Sequence, residues 1–265
     1  MVKKLFKYEA AAYLRVWAPI ELAVIALALF CRTIQIIETD TVAYELLFSG
    51  FIGIYVLGIV ASIIFNHIFA FIRYYKNLFA SEGYLSFTLP VTAGQHVFVK
   101  ITTSVAFTVA SVIMAFISFM IVSAGDMFLE VMKAIGYLSG LAIDKVGANF
   151  GLYIAEAVVL LILSFATIQM VSNTCISIGQ KANKGRIGFA FLAYFIYNSI
   201  IQIIATVVQF VLLLIPEDWW NEVITKHYIP LIHTGFGIII VVEVLIVLVC
   251  FLVSRRIITK RLNLI

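Results

Sequence analysis

The chain has 265 residues, of which 63% are hydrophobic and 12% charged. A soluble domain carries about 25% charged residues, so a water-facing surface cannot be built here, and the high aromatic content excludes a disordered chain. The composition leaves an all-α, multi-pass membrane protein, read as one domain over residues 1–265.

In chain order, residues 2–17 are predicted to form an amphipathic helix. Val2, Leu5, Phe6, Tyr13, Val16 and Trp17 share one face, with Lys3, Lys4, Lys7 and Arg15 opposite, as in a helix lying on a membrane surface. Glu9 interrupts the apolar face, which lipid alone does not explain; a protein partner would explain it. Basic residues continue to Arg15 and a span-length apolar run follows, which argues against a cleavable signal. A membrane helix needs about 20 mainly apolar residues. Six stretches qualify, at about 19–37, 46–71, 101–123, 152–172, 188–214 and 235–253. Cys31, Cys175 and Cys250 all fall in apolar stretches, without the spacing of a disulfide framework or a zinc site.

Two further helices are expected between spans. One, between spans three and four, places Phe128, Val131, Met132, Ile135, Leu138 and Ala142 on one face. The other begins at Pro216-Glu217-Asp218 and gathers Trp219, Trp220, Val223, Ile224 and His227, aromatics suited to the headgroup level.

Orientation follows from Lys and Arg. With both termini cytoplasmic, only Arg32, Lys133, Lys145 and Lys226 lie outside, leaving 14 of the 18 basic residues inside. The outer side then holds Glu38, Asp40, Glu45, Asp126, Glu130, Asp144, Glu217, Asp218 and Glu222. The net charge of +4 is thus a topology signal and gives no reason to expect nucleic acid.

Ionisable and amide groups inside spans are costly and commonly functional or paired. Glu243 lies near the middle of span six, on a face with Phe236, Cys250 and Ser254. Span five aligns Phe191, Asn198, Gln202 and Gln209; span four aligns Tyr153, Glu156, Ser164, Thr167 and Thr174; span two aligns Tyr55, Ser62 and Asn66. These stripes read either as interhelical hydrogen bonding or as a translocation path. For Glu243, pairing with the amides of span five is expected, and Arg32 is expected to reach Glu38 or Asp40.

Catalytic signatures do not emerge. The sequence has no G-x-x-x-x-G-K-[ST] phosphate loop and no H-E-x-x-H, and Gly136–Gly140 lacks the spacing of G-x-S-x-G. His227 and His233 stand six residues apart and need not share a face. No catalytic, cofactor or metal site is expected in this chain.

The inner connection from Arg73 to Thr92 contains five aromatics before Pro90, while its charges are Arg73, Lys76 and Glu82. Such a loop should dock on lipid headgroups or on a soluble protein. The run Glu82-Gly83-Tyr84-Leu85-Ser86-Phe87-Thr88-Leu89-Pro90-Val91, between spans two and three, resembles the ABC-2 type permeases of bacterial ABC exporters, as do Leu5-Phe6-Lys7-Tyr8-Glu9 and the basic tail Arg256–Leu264. The resemblance implies a permease domain in a bacterial plasma membrane, with residues 73–100 as a cytoplasmic coupling loop. Tyr75, Lys76, Phe79, Glu82, Tyr84 and Leu85 would meet a separate P-loop ATPase, which would hold ATP and Mg. It also implies a second permease copy or paralogue. The absence of a large outer domain points to an amphipathic peptide, a toxin or antimicrobial, as substrate, with Glu243, Asn198, Gln202, Gln209 and Glu156 along its path. The competing expectation is a proton-coupled secondary transporter or channel built on Glu243 and Glu156.

Overall fold

A computed structural model describes residues 1–37, 41–80, 82–182 and 184–260. Among these residues the secondary structure is helical throughout: α1 (Val2–Ile36), α2 (Val42–Phe79), α3 (Glu82–Thr88), α4 (Ala93–Val122), α5 (Asp126–Val146), α6 (Asn149–Gly179), α7 (Arg186–Leu213), α8 (Glu217–Lys226) and α9 (Tyr228–Lys260). Six of them, α1, α2, α4, α6, α7 and α9, are long and apolar enough to cross a membrane. The chain is therefore a multi-pass helical membrane protein. Hydrocarbon offers backbone N–H and C=O groups no water, so a spanning segment satisfies them within itself. The two helices expected between spans are present as α5 and α8, the latter opening with Glu217 and Asp218 in its first turn.

The helices are longer than their hydrophobic runs. The 2–17 segment and the 19–37 span form one 35-residue helix, α1, which continues through Pro19. Similarly, α2 runs eight residues beyond Phe71 and α6 seven beyond Ser172. Hydropathy marks where a helix sits in lipid; the hydrogen-bond ladder simply continues past that boundary.

The chain divides into two compact units, residues 1–72 with 98–144, and residues 73–97 with 145–265. In the first, α1 and α4 run parallel. Glu9 and Lys100 form an ion pair at 3.1 Å, each side chain 9% exposed. Tyr13 stacks on Phe107 at 5.2 Å and meets Phe69 of α2 edge-on at 5.1 Å. Beyond these contacts, Val24, Ala28, Cys31, Tyr55 and Val122 form an apolar cluster. Glu9 thus has its partner within the chain. Breaking a buried pair of this kind leaves a charge without compensation, which is costly. Arg32 donates to Gln35 Oε1 at 3.0 Å and lies over Gly125, whose φ of 99° suits glycine. Glu38 and Asp40, its expected partners, lie outside the described residues.

In the second unit α6 packs between α7 and α9. Its core sits at the end that carries α3, where Tyr74, Leu78, Val97, Met170, Val171 and Ile258 are buried. The tightest approach is the α6–α7 hairpin. A Cβ on Gly179 would lie 2.5 Å from the Arg186 carbonyl oxygen and 2.8 Å from the Ala190 backbone nitrogen. Backbone cannot swing aside as a side chain can. Gly179→Ala should therefore destabilise the protein by roughly 1–3 kcal/mol, the usual cost of overpacking, read as a lower midpoint of thermal unfolding in detergent. Gly188→Ala, with open space around it, should leave that midpoint unchanged.

Candidate functional site

Within the second unit α6 and α9 run parallel, and polar contacts cross their interface at successive levels. Tyr153 donates through its hydroxyl to the Ile229 carbonyl at 3.1 Å. One turn further, His233 Nδ1 lies 2.8 and 2.9 Å from the two carboxyl oxygens of Glu156. The Tyr153 ring stacks on the His233 imidazole at 4.3 Å. Ser164 Oγ donates to Glu243 Oε1 at 2.8 Å. Thr174 Oγ1 then lies 3.0 Å from Ser254 Oγ and 3.2 Å from the Cys250 carbonyl. The α6 stripe expected from sequence and the Glu243–Cys250–Ser254 face of α9 are thus two sides of one seam.

The seam changes character along its length. Glu156 and His233 are 28% and 24% exposed, so this end is open to its surroundings. Ten or eleven residues on, roughly 15 Å along the helix, Glu243 Oε2 and Thr167 Oγ1 are buried without a hydrogen-bond partner. A carboxyl and a hydroxyl with unfilled hydrogen-bonding capacity can receive a proton, a water or a polar substrate group.

Glu243 pairs with Ser164 of α6 rather than with the amides of α7. Asn198, Gln202 and Gln209 lie on an exposed surface of α7, a helix with no buried residue. Asn198 Nδ2 donates to the Tyr194 carbonyl at 2.8 Å, one turn back along its own helix. The reason is the phase of the helix. Gly179 of α6 meets α7 at Arg186 and Ala190, and at about 100° per residue the amide stripe lies roughly a quarter turn round from Ala190, off the side that meets α6. An exposed amide stripe on a membrane helix has poor partners in lipid tails and good ones in a polar path or a neighbouring chain.

The 73–97 segment folds largely onto its own unit. Tyr74, 1% exposed, has its hydroxyl 2.9 Å from Ser177 Oγ, and Phe79 packs edge-on against it at 5.8 Å. Of the residues assigned to ATPase coupling by resemblance, Phe79 is therefore a core residue. Tyr75 is half-buried, while Lys76, Glu82, Tyr84 and Leu85 are exposed. Glu82 accepts from Asn77 Nδ2 at 2.8 Å, which ties α3 to the end of α2. The apolar side chains of Tyr84 and Leu85 are 71% and 73% exposed.

Sequence reading missed three participants. His233 was visible only as one of four scattered histidines; its partner Glu156 lies 77 residues away. Glu21, 2% exposed, stands inside the first apolar run two residues after Pro19, and an ionisable residue in such a run is itself the signal. The hydroxyl stripe Ser104, Thr108, Ser111 and Ser118 of α4 is buried, and its spacing of four, three and seven residues marks one helical face.

Compared with known proteins, the chain matches no family model, no curated protein and no solved structure.

A double-mutant cycle on Ser164→Ala and Glu243→Gln should give a coupling energy of about 0.6 kcal/mol, the average for interhelical hydrogen bonds in membranes. A cycle of the same kind between Asn198 and Glu243 should give none, measured by unfolding in detergent.

Proposed function

We propose that this chain is the membrane subunit of an ATP-driven exporter in a bacterial plasma membrane. It works with a separate P-loop ATPase and with a second copy or paralogue of itself, moves an amphipathic peptide, and performs no catalysis of its own; ATP and Mg belong to the ATPase. The observation that carries this reading is α3, a short helix with Tyr84 and Leu85 outermost, anchored on both sides by buried side chains. Leu78 and Phe79 hold the preceding turn and Val97 the following helix. A lever needs a rigid mount and an exposed apolar tip, and this segment has both. The Glu82–Val91 resemblance to ABC-2 permeases falls on the same residues. The α6–α9 seam, with Glu243 and Glu156, and the amide stripe of α7 supply polar contacts for the substrate.

Basic residues place α3 and both termini in the cytoplasm on this reading. Single cysteines at Ser139 and Asn221 should then react with an impermeant reagent added outside intact cells, and one at Ser86 should not. The reverse pattern would invert the topology and remove α3 from any ATPase.

A second reading, a proton-coupled transporter or channel using Glu243 and Glu156, is favoured by the Glu156–His233 contact. The two part on one measurement. The exporter requires a soluble ATPase that co-purifies with the chain, whereas the proton-coupled carrier works alone in vesicles under a pH gradient. In the exporter, Glu82→Lys and the double variant Tyr84→Ala/Leu85→Ala should lower substrate-stimulated ATP hydrolysis about tenfold, the loss of an interface anchor of about 1.4 kcal/mol. Their unfolding midpoints should stay unchanged. Phe79→Ala should behave oppositely and destabilise the fold by roughly 3–5 kcal/mol.

A further inference from the structure

Of the two buried carboxyls described in the α1–α2–α4 unit, Glu9 pairs with Lys100 and Glu21 has no charged partner. Glu21 is 2% exposed, and its side-chain hydrogen-bonding neighbours are Ser111 and Ser62. The Ser111 hydroxyl contacts Glu21 Oε1 at 2.5 Å. Its polarity follows from two other neighbours. Trp17 Nε1–H donates to Ser111 Oγ at 2.8 Å, and Asn66 Nδ2–H donates to the same oxygen at 2.5 Å. A hydroxyl has two lone pairs and one hydrogen. Both lone pairs are taken, so the hydrogen goes to Glu21. Ser62, also 2% exposed, gives its hydrogen to the Ile59 carbonyl at 2.9 Å. Glu21 Oε2 is buried and makes no hydrogen bond.

One carboxyl oxygen thus faces a donor, and the other has no hydrogen-bond partner. An ionised carboxylate accepts at both oxygens and is very costly in an apolar interior. A neutral carboxylic acid suits this setting: its C=O accepts from Ser111, and a proton on the unpartnered Oε2 removes the buried charge. A bare metal cation does not fit. Trp17 and Asn66 present N–H groups, Ser111 has no lone pair left, and hard cations take about six oxygen ligands.

The other buried titratable groups of this unit are Glu9, Tyr13 and Cys31 on α1, Tyr55 on α2 and Lys100 on α4, with His67 of α2 half-buried. Lys100 pairs with Glu9, and Tyr55 shares a hydrogen bond with Ser118 at 2.9 Å. Ser111 lies eleven residues, roughly 16 Å, from Lys100 along α4.

We propose that Glu21 is a proton-binding site. The α1–α2–α4 seam takes one proton from water as it assembles, holds it on Glu21 Oε2, and returns it to water when α1 separates from α4 far enough to hydrate the carboxyl. This site needs no ATPase and is independent of which transport reading holds.

Infrared spectroscopy of the purified full-length chain in lipid nanodiscs tests it. At neutral pH the wild type should show the C=O stretch of a protonated carboxyl. The band should vanish in Glu21→Gln and persist in Glu156→Gln. In Ser111→Ala it should move to higher wavenumber, because that variant removes the donor to Oε1. Glu21→Gln should also keep the wild-type unfolding midpoint, since a carboxamide presents the same donor and acceptor as the neutral acid. If Glu21→Gln does not fold, the Ser111→Ala shift decides. No band that depends on Glu21 or shifts with Ser111 would overturn the proposal. So would a sodium-specific rise in the unfolding midpoint, relative to choline, that Glu21→Gln abolishes; that result would assign a metal cation instead.

Discussion

A polar side chain placed in hydrocarbon has no water to turn to and must find its partner on a neighbouring helix. This constraint orders the protein more than apolar burial does. Lipid tails are as apolar as leucine, so a leucine gains little by leaving them for another helix. The molecule shows the result. Leu22, Leu57, Leu213 and Leu245 are well exposed, whereas Ser111, Ser118, Thr103 and Ser254 are fully buried. Small hydroxyls also let helix backbones approach closely, so the same residues supply both the fit and the hydrogen bonds.

Each unit places its polar seam on a pair of parallel helices. In the first, Glu9, Trp17 and Glu21 of α1 meet Lys100 and Ser111 of α4. In the second, Tyr153, Glu156, Ser164 and Thr174 of α6 meet Ile229, His233, Glu243 and Ser254 of α9. Such a seam fixes register. Sliding one helix by a turn would strand several groups together, so contacts worth about 0.6 kcal/mol each act jointly against any intermediate position. Where a group stays unfilled, as at Glu243 Oε2 and Glu21 Oε2, the seam keeps a place for a proton, a water or a substrate group.

Much of this arrangement was legible in the residues. The six apolar runs, the helix opened by Glu217 and Asp218, and the polar stripes of α2 and α6 all follow from local periodicity, because a 3.6-residue turn places i, i+3, i+4 and i+7 on one face. Partner choice was not legible. Glu243 bonds Ser164 rather than an amide of α7, and Phe79 is core rather than contact surface. The first outcome depends on which side of α7 meets α6, at Gly179 and Ala190; the second depends on Tyr74, whose hydroxyl meets Ser177 of α6 and whose ring packs against Phe79.

The sequence by itself determined that the chain lives in a membrane, how many helices are long enough to cross it, and which face of α2 and α6 is polar. Hydrophobic length and helical period are local quantities, and lipid enforces them segment by segment. Only the tertiary structure decided that Glu9 is neutralised by Lys100, that Glu156 belongs with His233, and that Glu21 lies against Ser111. Those pairings join residues 77 to 91 positions apart, and no periodicity within one helix encodes which neighbour will stand across from it.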